Sequence, residues 1–92
     1  MPAYEVSYDL HQPGRDYQPL WDRLRAWNAV RVLESVWIIP EAQTAAIVRD
    51  DLVQYMDAND SLFVAGMTGE AAWKNLKAGS DQFVLKRFRS AA

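Results

Sequence analysis

The residue best placed for chemistry is an aspartate at the end of an alternating segment. In Tyr4-Glu5-Val6-Ser7-Tyr8-Asp9-Leu10, Tyr4, Val6 and Tyr8 point one way and Glu5, Ser7 and Asp9 the other, the period of two that marks a half-buried strand. Asp9 therefore leaves the sheet on the face away from the hydrophobic core. A carboxylate held at the rim of a rigid sheet suits a divalent cation, which takes oxygen ligands. Asp also ends strands and starts turns. Magnesium needs few protein ligands and keeps several waters, and a water made acidic by the ion can attack a phosphodiester. The sequence identifies no second acid or base beside Asp9.

Other chemistry-bearing residues give weaker signals. His11 lies two positions after Asp9 and is of the type that serves as general base or ligand, but its Pro13-Gly14 loop also suits a solvated histidine. Ser35 has no histidine and acid at a readable spacing, so serine nucleophile chemistry is not indicated. Cysteine is absent, which excludes a disulfide framework and thiolate chemistry. Gly66-Met67-Thr68-Gly69 lacks the lysine of a phosphate loop. Trp37 reads as an interface residue, with base stacking as the alternative.

The elements that must position these residues fit one small domain spanning residues 1–92. Hydrophobic residues make up 50% and aromatics 12%, enough for a packed core and too apolar for a disordered chain. No apolar run reaches bilayer length. The first residues lead into a strand without a basic, apolar signal segment, so a cytoplasmic protein with no membrane partner is expected. The net charge of −2 gives no global attraction to nucleic acid. Lys74, Lys77, Lys86, Arg87 and Arg89 nevertheless crowd the tail, as a solvated face or as a phosphate contact.

After the first strand, Asp16 can cap a helix over residues 16–28, with Pro19 in its first turn and Tyr17, Leu20, Leu24 and Trp27 at helical spacing. Residues 30–39 are rich in β-branched side chains and read as one long strand ended by Pro40. Both faces of that strand are apolar, which calls for a second chain or a terminal segment to cover one of them. Thr44 can cap a second helix striped by Ala45, Val48, Leu52, Tyr55 and Met56, and Asp57-Ala58-Asn59-Asp60 is a turn. Residues 61–65 read as a strand, 69–76 as a short helix and 82–88 as a last strand. The order predicts an α+β fold, a ferredoxin-like βαββαβ sandwich with two helices on one face of an antiparallel sheet. The first strand and the 61–65 strand are expected to be central and parallel. A second hairpin is not visible between Pro40 and Thr44.

Tyr8-Asp9, Arg31-Val32-Leu33-Glu34-Ser35-Val36-Trp37 and Asp60-Ser61-Leu62 together resemble the CRISPR-associated protein two family, and most nearly its SinR-like relatives and the VapD-like toxin ribonucleases. The resemblance covers about residues 3–66. It implies a ferredoxin-like homodimer joined through its sheets, in which Asp9 from each protomer shares a magnesium ion. It implies a metal-dependent endonuclease, of the endoribonuclease kind, acting on RNA or DNA. Arg15 and Arg31 would then contact nucleic acid, joined by Lys86 and Arg87 of the basic tail. Family members also act without catalysis, as dimeric scaffolds that bind protein or nucleic acid, so an integrase-like or antitoxin protein is the alternative partner. The chain departs from the family in having Ile38-Ile39-Pro40 after Trp37, and Asn28 where the family often has Gly.

Overall fold

Strand β1 (Tyr4–Asp9) runs up the middle of a four-stranded antiparallel sheet of order β2-β3-β1-β4, where β2 is Val30–Leu33, β3 is Val36–Ile39 and β4 is Ser61–Gly66. The computed structural model describes residues 2–90, with side chains through Phe88. Helix α1 (Gln18–Ala26) joins β1 to β2; helix α2 (Ala45–Leu52), extended by a 3-10 turn at Val53–Tyr55, joins β3 to β4. A short parallel pair, β5 (Glu70–Ala71) with β6 (Arg89–Ser90), brackets a third helix, α3 (Ser80–Arg87). The chain is thus an α+β fold. Among the described residues no helix is long and apolar enough to cross a membrane.

The alternation of β1 decides the layers. Tyr4, Val6 and Tyr8 meet Trp37 and Ile39 of β3, and Leu20, Leu24, Val48 and Leu52 of α1 and α2, in the main core. Each fully buried aliphatic side chain there contributes about 1.5–3 kcal/mol of transfer free energy. On the opposite face lie Glu5, Ser7 and Asp9, paired across with Ile38 and Val36 on one side and Ala65, Phe63 and Ser61 on the other.

The helix ends follow their sequence signals. Thr44 accepts a hydrogen bond from the Ile47 N–H (3.1 Å) as the N-cap of α2. Asp16 acts one residue further out than expected: its Oδ1 accepts from the Gln18 N–H (2.9 Å), while Tyr17 occupies the N-cap position. At the other end of α1, Asn28 takes φ 63°. The Asn28 N–H donates to the Arg25 carbonyl (2.9 Å) and the Ala29 N–H to that of Leu24 (3.0 Å). These are the two bonds of a left-handed helix stop, a conformation open to Asn as well as Gly.

Four expectations are corrected. Residues 30–39 are not one strand but the hairpin β2–β3, turning at Glu34-Ser35 with a register shift between Arg31 and Leu33. Tight two-residue hairpin turns usually advertise themselves through Asn-Gly or Asp-Gly at positive φ. Among the described non-glycine residues only Asn28 and Asn75 have positive φ, so this turn carries no such mark. Residues 82–87 form helix rather than strand, with Phe88 as the extended C-cap, because Ser80, Val84 and Phe88 recur every fourth residue and are the ones buried. Residues 69–76 contain β5 and a loop rather than a helix. Finally, β1 and β4 are antiparallel, not parallel, and β4 is an edge strand rather than a central one.

These corrections settle what covers the second sheet face. Val84 and Phe88 pack on Val32 and Ile38, with Met67, Trp73, Leu76 and Phe83 around them. The Lys77 N–H donates to the Val32 carbonyl (3.0 Å), which closes off the outer edge of β2. Of the two covers anticipated, the chain's own terminal segment fills this role over β2 and β3. Over β1 and β4 the described residues leave this face open, with Phe63 64% exposed. If α3 supplies that cover, Phe88→Ala will lower unfolding free energy by about 3 kcal/mol or more in urea titration. A change within the roughly 0.5 kcal/mol of an ordinary surface substitution would mean that the segment does not pack there.

Candidate functional site

Asp9 is the last residue of β1 and is exposed, opposite Ser61 at the start of β4. It lines a shallow hollow of about 220 Å³ together with Ser7, Ser35, Ser61 and Phe63. The hollow exists because β3 pairs with β1 only as far as Ser7↔Val36, so the hairpin turn and the last rung of β1–β4 leave a step. Among the described residues Asp9 makes no ion pair. Ser7, Ser35 and Ser61 set oxygen groups around it, beside the apolar Leu62 and Phe63, and oxygen is the ligand magnesium accepts when water completes its shell. Among the described residues no three His, Asp or Glu side chains gather to hold a metal. One chain thus offers a single charged ligand.

The basic residues nominated from the sequence do not converge on Asp9. Arg31 pairs across from Trp37 and lies on the helix-covered face, so the sheet separates it from the carboxylate. Its guanidinium sits over the rings of Trp21 (5.1 Å) and Trp37 (5.6 Å) and donates to the Glu34 carbonyl from Nε (2.9 Å) and Nη2 (2.5 Å). Glu34 is exposed in the turn and pairs with Lys77 (3.3 Å) and Arg31 (3.6 Å). Arg15 lies at the Asp9 end of the sheet, bound to Asp57 (3.2 Å) and stacked on Tyr17 (5.6 Å). Lys86 and Arg87 are exposed in the last turn of α3, on the same sheet face as Asp9 but over the β2–β3 half. The side chain of Arg89 falls outside the described set. His11 is an exposed loop residue. Trp37 is 1% exposed in the core, neither an interface residue nor a stacking platform.

Three polar nodes escaped the sequence reading. The first fixes the rim beside Asp9. The Asp60 carboxylate accepts from the His11 N–H (2.7 Å), the Asp57 N–H (2.7 Å) and the Tyr17 hydroxyl (2.7 and 2.9 Å). It thereby ties the loop after β1 to the loop before β4, helped by Gln12 donating to Asn59 (3.0 Å). Burial pushes the Asp60 carboxyl up, but these donors outweigh it and hold the carboxyl below the usual range. Burial and the same carboxylate raise the Tyr17 phenol.

The second node joins the helices. Arg23 forks onto Asp51 through Nε (2.6 Å) and Nη2 (2.9 Å), and the Trp27 indole N–H adds a bond to the same carboxylate (2.8 Å). The Arg23 bonds, supported by Trp27, lower the Asp51 carboxyl against the effect of burial.

In the third node the Tyr8 hydroxyl accepts from the indole N–H groups of Trp21 (3.1 Å) and Trp37 (3.0 Å). Losing that acceptor would strand both donors, at about 1–3 kcal/mol each when buried. The only local signal for these nodes is the polar turn at residues 57–60. Apart from the nearby Asp57 N–H, their partners are 24 to 49 residues away for Asp51 and Asp60, a pairing that no periodicity reports.

No family model matches the chain, and no solved structure matches it significantly.

Asp51 and Asp60 each hold their proton more weakly in the folded chain than in the unfolded one. Their stabilisation is therefore complete above the unfolded carboxyl pKa and is lost as pH falls through the folded value. Melting temperature measured against pH should fall below about pH 4. Asp51→Asn and Asp60→Asn should each be less stable at neutral pH and show a shallower acid decline. An acid profile identical to the parent's in both variants would contradict the two nodes.

Proposed function

We propose that this chain works as a homodimer joined through the open half of its sheet, with paired Asp9 carboxylates holding a magnesium ion for cleavage of phosphodiesters in RNA or DNA. The observation that carries this reading is the place of Asp9. It sits in a hydroxyl-lined hollow on the part of the sheet face that the chain's own C-terminal segment leaves bare, beside the exposed Phe63. The strand order β2-β3-β1-β4, with α1 and α2 as crossovers, supports the ferredoxin-like βαββαβ assignment and, with it, the resemblance to the CRISPR-associated protein two and VapD-like proteins.

In such a dimer Phe63 and Ala65 meet their counterparts, which removes exposed apolar surface from water. Asp9 supplies the charge that one chain alone provides only once. Magnesium, when bound, supplies an acidified water and neutralises developing phosphate charge. The hydroxyls of Ser7, Ser35 and Ser61 suit hydrogen bonds to the water shell of such an ion. Lys86 and Arg87 offer phosphate contacts on the same face.

Purified protein should cleave RNA or DNA with magnesium and stop with a chelator. Asp9→Ala should lose at least the ~100-fold activity that even an outer-shell partner of a metal can command, with its circular dichroism unchanged. Phe63→Glu should sediment as a monomer. Equal cleavage by Asp9→Ala, or a monomeric parent, would remove the proposal.

A second reading, a non-catalytic dimeric scaffold for a protein or nucleic acid, is favoured by the position of Arg31. The sheet separates it from Asp9, and the hollow's lining holds no second carboxylate and no histidine. This reading expects no cleavage, together with salt-sensitive binding that Lys86→Ala and Arg87→Ala weaken; unchanged binding would exclude the tail.

A further inference from the structure

We infer that Tyr8 is a positioning residue for Asp9: its hydroxyl, gripped from two elements on the core side of the sheet, sets where the carboxylate on the other side points. The inference rests on the reading of Asp9 as a cation ligand.

On its β3 side the end of β1 has little else to hold it, while the Asp60 node ties the loop beyond it to the loop before β4. Ladder pairing with β3 ends at Ser7↔Val36, and past that rung only the Tyr8 N–H reaches the hairpin, donating to the Ser35 carbonyl (3.2 Å). On the other side Asp9 pairs with Ser61, the first residue of an edge strand. A strand end between a turn and an edge strand frays unless its side chains are fixed.

Tyr8 supplies that fixing. Its side chain is 6% exposed, and its oxygen accepts one indole N–H from α1 (Trp21, 3.1 Å) and one from β3 (Trp37, 3.0 Å). Two donors from different elements define a point in space rather than an arc. The donors are themselves held. Arg31 lies over both indole rings (5.1 and 5.6 Å), and Arg25 lies over that of Trp37 (5.4 Å). Successive residues of a strand point to opposite faces, so locking Tyr8 downward orients the backbone that carries Asp9 upward. Arg31, remote from the hollow, thus acts on it through the sheet.

The test compares the parent, Tyr8→Phe and Asp9→Ala by two measurements that do not depend on turnover: Mn²⁺ titration followed by electron paramagnetic resonance, and amide hydrogen exchange. Tyr8→Phe should bind Mn²⁺ about tenfold more weakly, the loss typical of removing an outer-shell partner, and should exchange faster at positions 8, 9 and 61 than at positions 5 and 6. Asp9→Ala should lose the bound ion. A Tyr8→Phe protein with the parent's Mn²⁺ affinity and uniformly faster exchange overturns the inference alone and leaves Tyr8 a core residue. A parent that binds no Mn²⁺ removes the cation reading and this inference with it. Should Tyr8→Phe fail to fold, Trp21→Phe removes one donor and keeps the ring and oxygen of Tyr8. It should show a smaller loss in the same direction, and unaltered affinity there overturns the inference equally.

Discussion

The structure depends on the two-sidedness of β1. It is a central strand with an antiparallel neighbour on each side, so its backbone groups are paired within the sheet and its side chains must serve two layers at once. Tyr4, Val6 and Tyr8 close the core under α1 and α2. Glu5, Ser7 and Asp9 are left to the other layer by the same alternation. A one-residue slip would bury the three polar residues and expose the three apolar ones. The register that builds the core is therefore the register that presents the carboxylate, and stability and site placement cannot be altered independently along this strand.

Much of this was legible because it is local. The period of two in residues 4–9, the Thr44 cap, Pro19 in the first turn of α1 and the stripe through Leu20 and Leu24 each announce themselves within a few residues, and each appears in the structure. The hairpin was hidden because Glu34-Ser35 turns without a left-handed residue and is braced from outside, by Arg31 on the Glu34 carbonyl and Lys77 on its carboxylate. The helix at residues 80–87 was hidden because Phe83-Val84-Leu85 offers a short apolar run that suits strand or helix. Only the spacing of Ser80, Val84 and Phe88 separates the two. Asp9 was found from its strand position. The side chains that hold its surroundings, Tyr8, Asp60 and Tyr17, could not be found, since their bonds join segments far apart in the chain.

The acidic balance of the chain looks different once its charges are placed. Asp51 is engaged by Arg23 and Trp27, Asp60 by Tyr17 and two backbone N–H groups, Asp57 by Arg15, and Glu34 by Arg31 and Lys77. Four of the twelve acidic residues are thus tied up in joining loops and helices, together with four of the ten basic ones. Asp9 stands apart from these pairings, while Lys86 and Arg87 face solvent. Where charges sit on the surface bears on partners as much as their sum does.

β4 carries a further consequence. It lies at the outer margin of the sheet, and its six residues, Ser61-Leu62-Phe63-Val64-Ala65-Gly66, include no charge and no proline. Such a segment has the makeup of a fibril-forming hexapeptide. The ionised side chain immediately before it, Asp60, then has a second duty as a gatekeeper against strand stacking between molecules. Protonation of Asp60 would neutralise that guard as it loosens the two loops, so strand protection and loop order are linked through this carboxylate.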